Sequence, residues 1–334
     1  MDSTILQDDL FETIEKLGQG ASGDVWKVYR KGRPEVEYAR KGFIVANQND
    51  RKRFKEIRNE IMIIKRLRHA HIIEFVQSYQ LEGNHGSINY FIVLFPVADF
   101  DLQTFFDRMA QPSTNALDRT NILRAMCEWP GCLLRALDYV HSMSIRHKDI
   151  KPGNILIKDM KVYLTDFGIS RDFLDLTSKT DGTVGKMTRR YIAPEIDEER
   201  PRGRPTDVWA LGCVFIELCT VASGENSIAD LNDHLRGRRH SRWPPPYCEV
   251  PYPVFRWIWK LYACPGPDPI IEGYIQKLLQ MAFLMLDPDP DQRITSRQLV
   301  DLMSDRSHKY FHLIAEEGWK RIHSINRKSF IRNT

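Results

Sequence analysis

The sequence predicts an α+β fold in two lobes, a small N-terminal β-sheet lobe with one helix and a larger, mainly helical C-terminal lobe. Three observations carry this expectation. Strand-like runs near 11–17, 25–29, 38–44, 74–81 and 88–95 surround a single helical pattern near 52–67. A link follows at Phe95-Pro96-Val97-Ala98, where proline suits a connection and not a central strand. Beyond it, Gly131-Cys132-Leu133-Leu134-Arg135-Ala136-Leu137-Asp138-Tyr139-Val140-His141 reads as the core helix of the second lobe.

The first two strands, Phe11-Glu12-Thr13-Ile14-Glu15-Lys16 and Val25-Trp26-Lys27-Val28-Tyr29, flank Leu17-Gly18-Gln19-Gly20-Ala21-Ser22-Gly23-Asp24. Glycines at this spacing let a backbone approach phosphate oxygens and donate N–H groups without side-chain clash. By itself the spacing fits an ordinary hairpin turn equally well. A dinucleotide-binding loop wants a helix after the third glycine, and here a Val/Trp/Tyr-rich strand follows, which removes that competitor. The next strand carries Tyr38-Ala39-Arg40-Lys41, and a lysine near a strand end is ordinarily a solvated edge residue. In the helix, Phe54, Ile57, Ile61 and Ile64 recur at helical spacing and define one buried stripe. Glu60 falls inside the arc of that stripe and Glu56 outside it. A carboxylate on a packed face is costly unless paired, so Glu60 needs a cation.

The stretch His147-Lys148-Asp149-Ile150-Lys151-Pro152-Gly153-Asn154, followed by Asp166-Phe167-Gly168, is the most specific signal in the chain. Two acids, a lysine and an amide at these offsets are the residue types that position a hydroxyl and hold Mg²⁺ on a phosphate. By composition the pattern His-x-Asp-x-Lys-Pro-x-Asn arises by accident in about one such chain in 10⁴. Downstream come Ala193-Pro194-Glu195, then Asp207-Val208-Trp209-Ala210-Leu211-Gly212-Cys213, then Asp289-Pro290-Asp291-Gln292-Arg293-Ile294-Thr295.

In this order the motifs resemble those of the eukaryotic protein kinases, over residues 11–303. The resemblance implies ATP and Mg²⁺ as cofactors and protein Ser/Thr hydroxyls as acceptors. It implies that Lys41 pairs with Glu60 and binds the α- and β-phosphates. Leu17, Gly18, Gly20 and Gly23 match the phosphate loop, while Val25, Ala39 and Leu156 match the residues that sandwich adenine. Asp149 matches the acid that orients the attacking hydroxyl, and Lys151 the cation that neutralises the transferring γ-phosphate. Asn154 and Asp166 match the Mg²⁺ ligands. Phe167, His147 and Ile64 match positions that stack across the lobes, Leu94 the gatekeeper, and Glu195 and Arg293 a tethering ion pair. Lys151-Pro152 and Thr188 ahead of Tyr191 resemble the serine/threonine branch, and His147-Lys148-Asp149 with Phe95-Pro96-Val97-Ala98-Asp99 looks like a group of fungal kinases.

One departure bears on control. The usual arginine before the catalytic aspartate is Lys148 here, which keeps the charge but loses the planar fork that grips a phosphate bidentately. Thr177, Ser178, Thr180 and Thr183 are the candidate phosphorylation sites of the segment that follows. Gly182-Thr183-Val184-Gly185-Lys186-Met187-Thr188 lacks the Ser/Thr after its lysine that a phosphate-binding loop of another class requires.

Composition agrees. At 334 residues and 42% hydrophobic, the chain is expected to bury one two-lobed domain (lobes about 11–95 and 99–303), with a 1–10 extension and a basic 304–334 extension. Runs such as Ile92-Val93-Leu94-Phe95-Pro96-Val97-Ala98 are too short to span a bilayer, and residues 1–9 lack the basic start and apolar core of a signal peptide, so none is expected. Six cysteines without a C-x-x-C pair indicate neither zinc nor a disulfide framework, so the expected setting is intracellular, cytoplasmic or nuclear. A net charge of +4 argues against a nucleic-acid partner. Two basic patches stand out: the loop His234-Leu235-Arg236-Gly237-Arg238-Arg239-His240-Ser241-Arg242, and the tail with Lys320, Arg321, Arg327, Lys328 and Arg332. Solvated ends are the plain reading, and acidic-partner docking or nuclear import the sharper ones. The Pro- and aromatic-rich stretch 243–262 reads as a packed excursion, with a docking platform as the alternative. A pseudokinase-like scaffold is the competing function, and the filled set Lys41, Glu60, Asp149, Asn154 and Asp166 favours the enzyme.

Overall fold

The computed structural model describes residues 5–6, 9–20, 23–45, 51–82, 87–111, 116–167, 189–197, 203–239, 241–264 and 266–304. Gly168, Thr177, Ser178, Thr180, Thr183, Thr188, the 182–188 stretch, the tail cations and the side chain of Glu56 lie outside the described residues. The chain clusters into two compact units of non-consecutive segments. The first is Met1–Leu102, Tyr139–Asp149 and Gly153–Val184, and the second Gln103–Asp138, Ile150–Pro152 and Gly185–Thr334.

The first unit holds the strands. They are β1 (Ile5–Leu6), β2 (Phe11–Gly20), β3 (Gly23–Arg30), β4 (Arg33–Val45), β5 (Glu74–Glu82) and β6 (Ile88–Phe95), in the sheet order β1-β5-β6-β4-β3-β2. All neighbours are antiparallel except β1, which runs parallel to β5 through Ile5↔Gln80 and Leu6↔Leu81. Phe11, Val28, Tyr79 and Val93 form a buried cluster on this sheet, with Trp26, Tyr38, Leu81 and Phe91 packed against it. Removing such side chains from water contributes about 1.5–3 kcal/mol each. Helix α1 (Arg51–Arg66) buries Ile57, Ile61 and Ile64, the stripe its period predicts, while Phe54 is half-buried and meets Tyr90 edge-on with ring centroids 5.5 Å apart.

The start of the chain is stitched into this sheet by contacts that no pattern announced. Asp9 accepts hydrogen bonds from the Phe11 amide at 3.1 Å, from the Tyr79 hydroxyl at 2.7 Å and from Arg40. Arg40 also donates to Thr13 Oγ1 at 2.8 Å. The residue beside Lys41 is thereby fixed from its far side. A second small sheet, β7 (Phe100–Asp101), β8 (Ile155–Lys158) and β9 (Lys161–Leu164), follows the link. Its β8–β9 turn uses left-handed backbone at Asp159 and Met160. The Leu164 amide donates to the His71 carbonyl at 2.9 Å, so this sheet is pinned to the lead-in of β5.

The second unit is helical, with α2 (Leu102–Met109, from Gln103 on), α3 (Ala116–Met126), α4 (Trp129–Ser142, as far as Asp138), α5 (Pro194–Asp197), α6 (Arg204–Ala222), α7 (Ile228–Arg236), α8 (Pro251–Ala263), α9 (Pro269–Met285) and α10 (Ser296–Ser304). Two expectations are corrected here. Helix α6 is long and apolar enough to cross a membrane by length and composition, so the sequence does hold one such stretch. The fold uses it as a core helix, with every residue of Asp207–Ala222 buried. Gly212 is required for this, since a Cβ there would sit 2.8 Å from that of Met285 on α9. The basic patch at 234–242 is also not wholly a loop. Its first three residues are the last turn of α7, which a Ser227/Asp230 capping box starts and Gly237 at φ 55° ends.

The Pro- and aromatic-rich stretch divides by face. Tyr247, Val250, Val254, Phe255, Trp257 and Ile258 are buried, whereas Tyr252 and Trp259 are exposed. Most of it is therefore a packed excursion.

Candidate active site

Of the residues the sequence singles out, Lys41, Glu60 and Asp166 meet in the first unit and Asp149 pairs there with Asn154, while Lys151 belongs to the second unit. Lys41 on β4 sits opposite Val25 on β3 and Ile92 on β6. Its side chain is buried, and Nζ donates to Glu60 Oε1 at 3.2 Å and to Asp166 Oδ1. Glu60 is buried too, so this is the cation its place on the packed stripe demanded. Burial alone would lower the Lys41 pKa, but Asp166 and then Glu60 outweigh it, and the ammonium is held well above its ordinary value. Lys41 is therefore charged across the physiological range.

Asp166 comes into reach through a strained backbone. It has φ 63°, and Lys148, next to Asp149, has φ 71°. Left-handed non-glycine residues cost of order 1–3 kcal/mol and persist only where surroundings over-determine them. One such constraint is Phe167, buried against His147 with ring centroids 4.7 Å apart. Ile64 of the expected stack is buried as well. Another constraint is the Thr165 amide, which donates to the Asn154 carbonyl at 3.1 Å.

Asn154 closes the loop that begins at Asp149. It ends a single 3₁₀ turn, Pro152–Asn154, and its Nδ2 donates to the Asp149 carbonyl at 2.7 Å and to Asp149 Oδ2 at 2.9 Å. With the nitrogen end of the amide committed, its oxygen end is left for a hard cation. Asp149 is half-buried and keeps its second carboxylate oxygen outside this pair, and Lys151 is half-buried.

The glycine-rich segment is strand at its described residues, 17–20 and 23–24. Gly18 pairs with Val25 and Gly20 with Gly23, with ladder irregularities between Thr13 and Glu15 and between Lys16 and Gly18. Gly23, at φ 147°, is there for a local reason, because a Cβ would lie 1.9 Å from the Gly42 carbonyl oxygen. A Cβ at Gly18 would meet nothing within 4 Å. Leu17 is exposed, Val25 and Ala39 are half-buried, Ala39 pairs with Leu94, and Leu156 is half-buried opposite Asp101 and Tyr163.

The second unit contains two further buried ionic clusters. Arg293 grips Glu195 bidentately at 2.8 and 2.9 Å, the pair the sequence anticipates. The other was missed. Glu217, buried in α6, accepts from Arg190 Nε at 3.3 Å, from the Tyr247 hydroxyl at 2.8 Å and from the Tyr191 hydroxyl at 3.0 Å. Burial raises the Glu217 pKa, and Arg190 and the two hydroxyls hold it down only in part. A signal existed, since Glu217 is the one charged residue in the run 208–222. It is the same misfit on a packed helix that marked Glu60.

Fold and site together define a phosphotransferase of the two-lobed, α+β type. The chain belongs to the protein kinase domain family, whose model matches residues 11–305. It is 32% identical over 212 residues to the serine/threonine-protein kinase Nek1 of Mus musculus, covering 62% of this chain and 16% of that protein. It is 27% identical over 351 residues to the calcium/calmodulin-dependent protein kinase type 1B of Rattus norvegicus, covering 97% and 86%. A third relative is the serine/threonine-protein kinase Nek6 of Oryza sativa subsp. japonica, 30% identical over 243 residues, covering 71% of this chain and 42% of that protein. Thus the chain spans a small part of the Nek1 length and under half of Nek6. These relatives put it in the serine/threonine branch. Use of ATP and Mg²⁺ goes with the family.

Proposed function

We propose that this kinase transfers the γ-phosphate of ATP to Ser/Thr hydroxyls of proteins through Asp149, Lys151, Asn154, Asp166, Lys41 and Glu60. The observation that carries the reading is the meeting of Lys41, Glu60 and Asp166, residues far apart in sequence, around one buried ammonium with a half-exposed carboxylate. Lys41, held charged and aimed by Glu60, binds the α- and β-phosphates. The open strand around Gly18 lets backbone N–H groups approach those phosphates, while Leu17, Gly20, Gly23, Val25, Ala39 and Leu156 complete the cradle.

The donor set suits Mg²⁺, with the Asp166 carboxylate and the Asn154 amide oxygen as hard ligands, and the metal when bound neutralises phosphate charge. Asp149, oriented by Asn154, accepts a hydrogen bond from the attacking hydroxyl and fixes its line of approach. Lys151 offsets charge on the transferring group. The catalytic domain occupies 11–303 in this reading, and the six free thiols fit an intracellular setting. Exposed Tyr252 and Trp259 are the part of 243–262 left to serve as a docking face.

Asp149→Asn tests the assignment. It keeps shape and hydrogen-bond reach, so folding and nucleotide binding should persist while kcat falls at least about 10²-fold. Turnover within a few-fold of the unchanged chain would remove Asp149 from the mechanism.

A further inference from the structure

A groove of about 920 Å³ in the first unit runs beside the link after β6. Of the residues assigned above to nucleotide, metal and catalysis, only Leu17 lines it. Its apolar part is open to water, with Leu17, Val36 and Phe95 exposed by 41%, 36% and 40%. Around it stand six carboxylates, Glu15, Glu35, Glu37, Glu74, Asp99 and Asp159, against two lysines.

The lysines are already shared. Lys27 lies 3.2 Å from both Glu15 and Glu37, and Lys158 lies 2.8 Å from Asp99 and 3.8 Å from Asp159. Glu35 and Glu74 have no cation at ion-pair distance among the described residues. Six carboxylates against two lysines leave an excess of four negative charges in one concavity, while the whole chain carries +4. Charge is segregated here, and low-dielectric walls focus such a field outward.

We propose that this groove docks a segment of a partner protein in which arginine or lysine stands beside branched apolar residues. Each half of the groove selects one half of that chemistry. Nucleic acid and anionic lipid are repelled by the carboxylates, and a bare cation would leave Leu17, Val36 and Phe95 wet. A basic and apolar segment satisfies Glu35 and Glu74 while covering the apolar floor.

The test is fluorescence anisotropy with the full chain and no nucleotide, so its outcome is independent of the phosphotransfer reading. A labelled peptide of alternating arginine and leucine should bind, more weakly as salt rises, and its glutamate-for-arginine counterpart should not. Glu35→Lys with Glu74→Lys should weaken binding at least about tenfold, and Val36→Asn should weaken it at unchanged charge. Turnover of a short, uncharged acceptor peptide should stay the same in these variants. Equal binding by the charge-reversed chain, or equal binding of the two peptides, overturns the proposal. Tighter peptide binding by Lys320→Glu/Arg321→Glu would also overturn it, because the groove would then belong to this chain's own tail.

Discussion

Lys41 in the first unit and Arg293 in the second are both buried cations held by glutamates, and their surroundings differ in one respect that matters. Arg293 engages all three of its guanidinium nitrogens. It meets both oxygens of Glu195, gives Nη1 to the Pro205 carbonyl at 2.9 Å and Nε to the Asp287 carbonyl at 2.8 Å, and stacks over Trp209. Lys41 instead divides a point charge between buried Glu60 and Asp166, whose side chain keeps 38% of its surface exposed on left-handed backbone. A cluster with all three guanidinium nitrogens engaged by acceptors holds the fold together. One with a part-exposed carboxylate and a strained approach can take a ligand.

The contrast is broken most directly at Arg293. Arg293→Met leaves Glu195 buried and unpaired, so stability should fall by about 3–5 kcal/mol, read from the denaturant midpoint. Loss of turnover at an unchanged midpoint would erase the distinction between the two clusters.

Lys41→Met and Glu60→Gln should act on rate first. Each should lower turnover about 10²-fold, near 2.7 kcal/mol at 1.36 kcal/mol per decade. Because the two residues work as one unit, the double variant should be hardly slower than either single one. Fully multiplicative losses would mean that the pair does not meet in the working enzyme.

The two glycines sharpen the same division on a smaller scale. Gly23→Ala forces a Cβ onto the Gly42 carbonyl and should cost about 1–3 kcal/mol of stability. At Gly18 nothing is near, so Gly18→Ala should hold stability to within about 0.5 kcal/mol and raise KM for ATP instead. Thermal midpoints and nucleotide titrations separate these outcomes.

The smallest expected effect is at the start of α7. Ser227→Ala should cost about 1 kcal/mol. The Asp230 carboxyl is held below its ordinary 3.8, chiefly by the Ser227 side chain. A depressed pKa gives stability that is present above 3.8 and lost as pH falls below it. The gap between the unchanged chain and the variant should therefore be full at neutral pH and narrow in acid, where only the Asp230 amide bond to the Ser227 hydroxyl remains to be lost. A gap independent of pH would mean that the carboxylate takes no part in the cap.

Much of this was legible where a short-range pattern had only one physical solution. The α1 stripe gave the buried face, and Glu60 on that face required a cation. The order of motifs then named Lys41. What stayed hidden depended on long-range closure or on very short elements. Two-residue β1 has no period to read, and Asp9 meets Tyr79 and Arg40 only because the sheet lays β5 and β4 on either side of β6. Arg190, Tyr191 and Tyr247 looked unrelated to Glu217, although Glu217 was as conspicuous on α6 as Glu60 on α1.

By itself the sequence determined the five main strands of the first sheet, the α1 and α4 helices, the family, and the residue types at the site, because periodicity and motif spacing are local properties of a chain. Only the tertiary structure added the charge partners that no motif pairs. It assigned Asp166 to Lys41 and Arg190, Tyr191 and Tyr247 to Glu217, and it spent the apolar length of Arg204–Ala222 on a core. The physical reason is desolvation. A buried charge must find its counter-charge wherever folding brings one within reach, and that distance is set by packing, not by position along the chain.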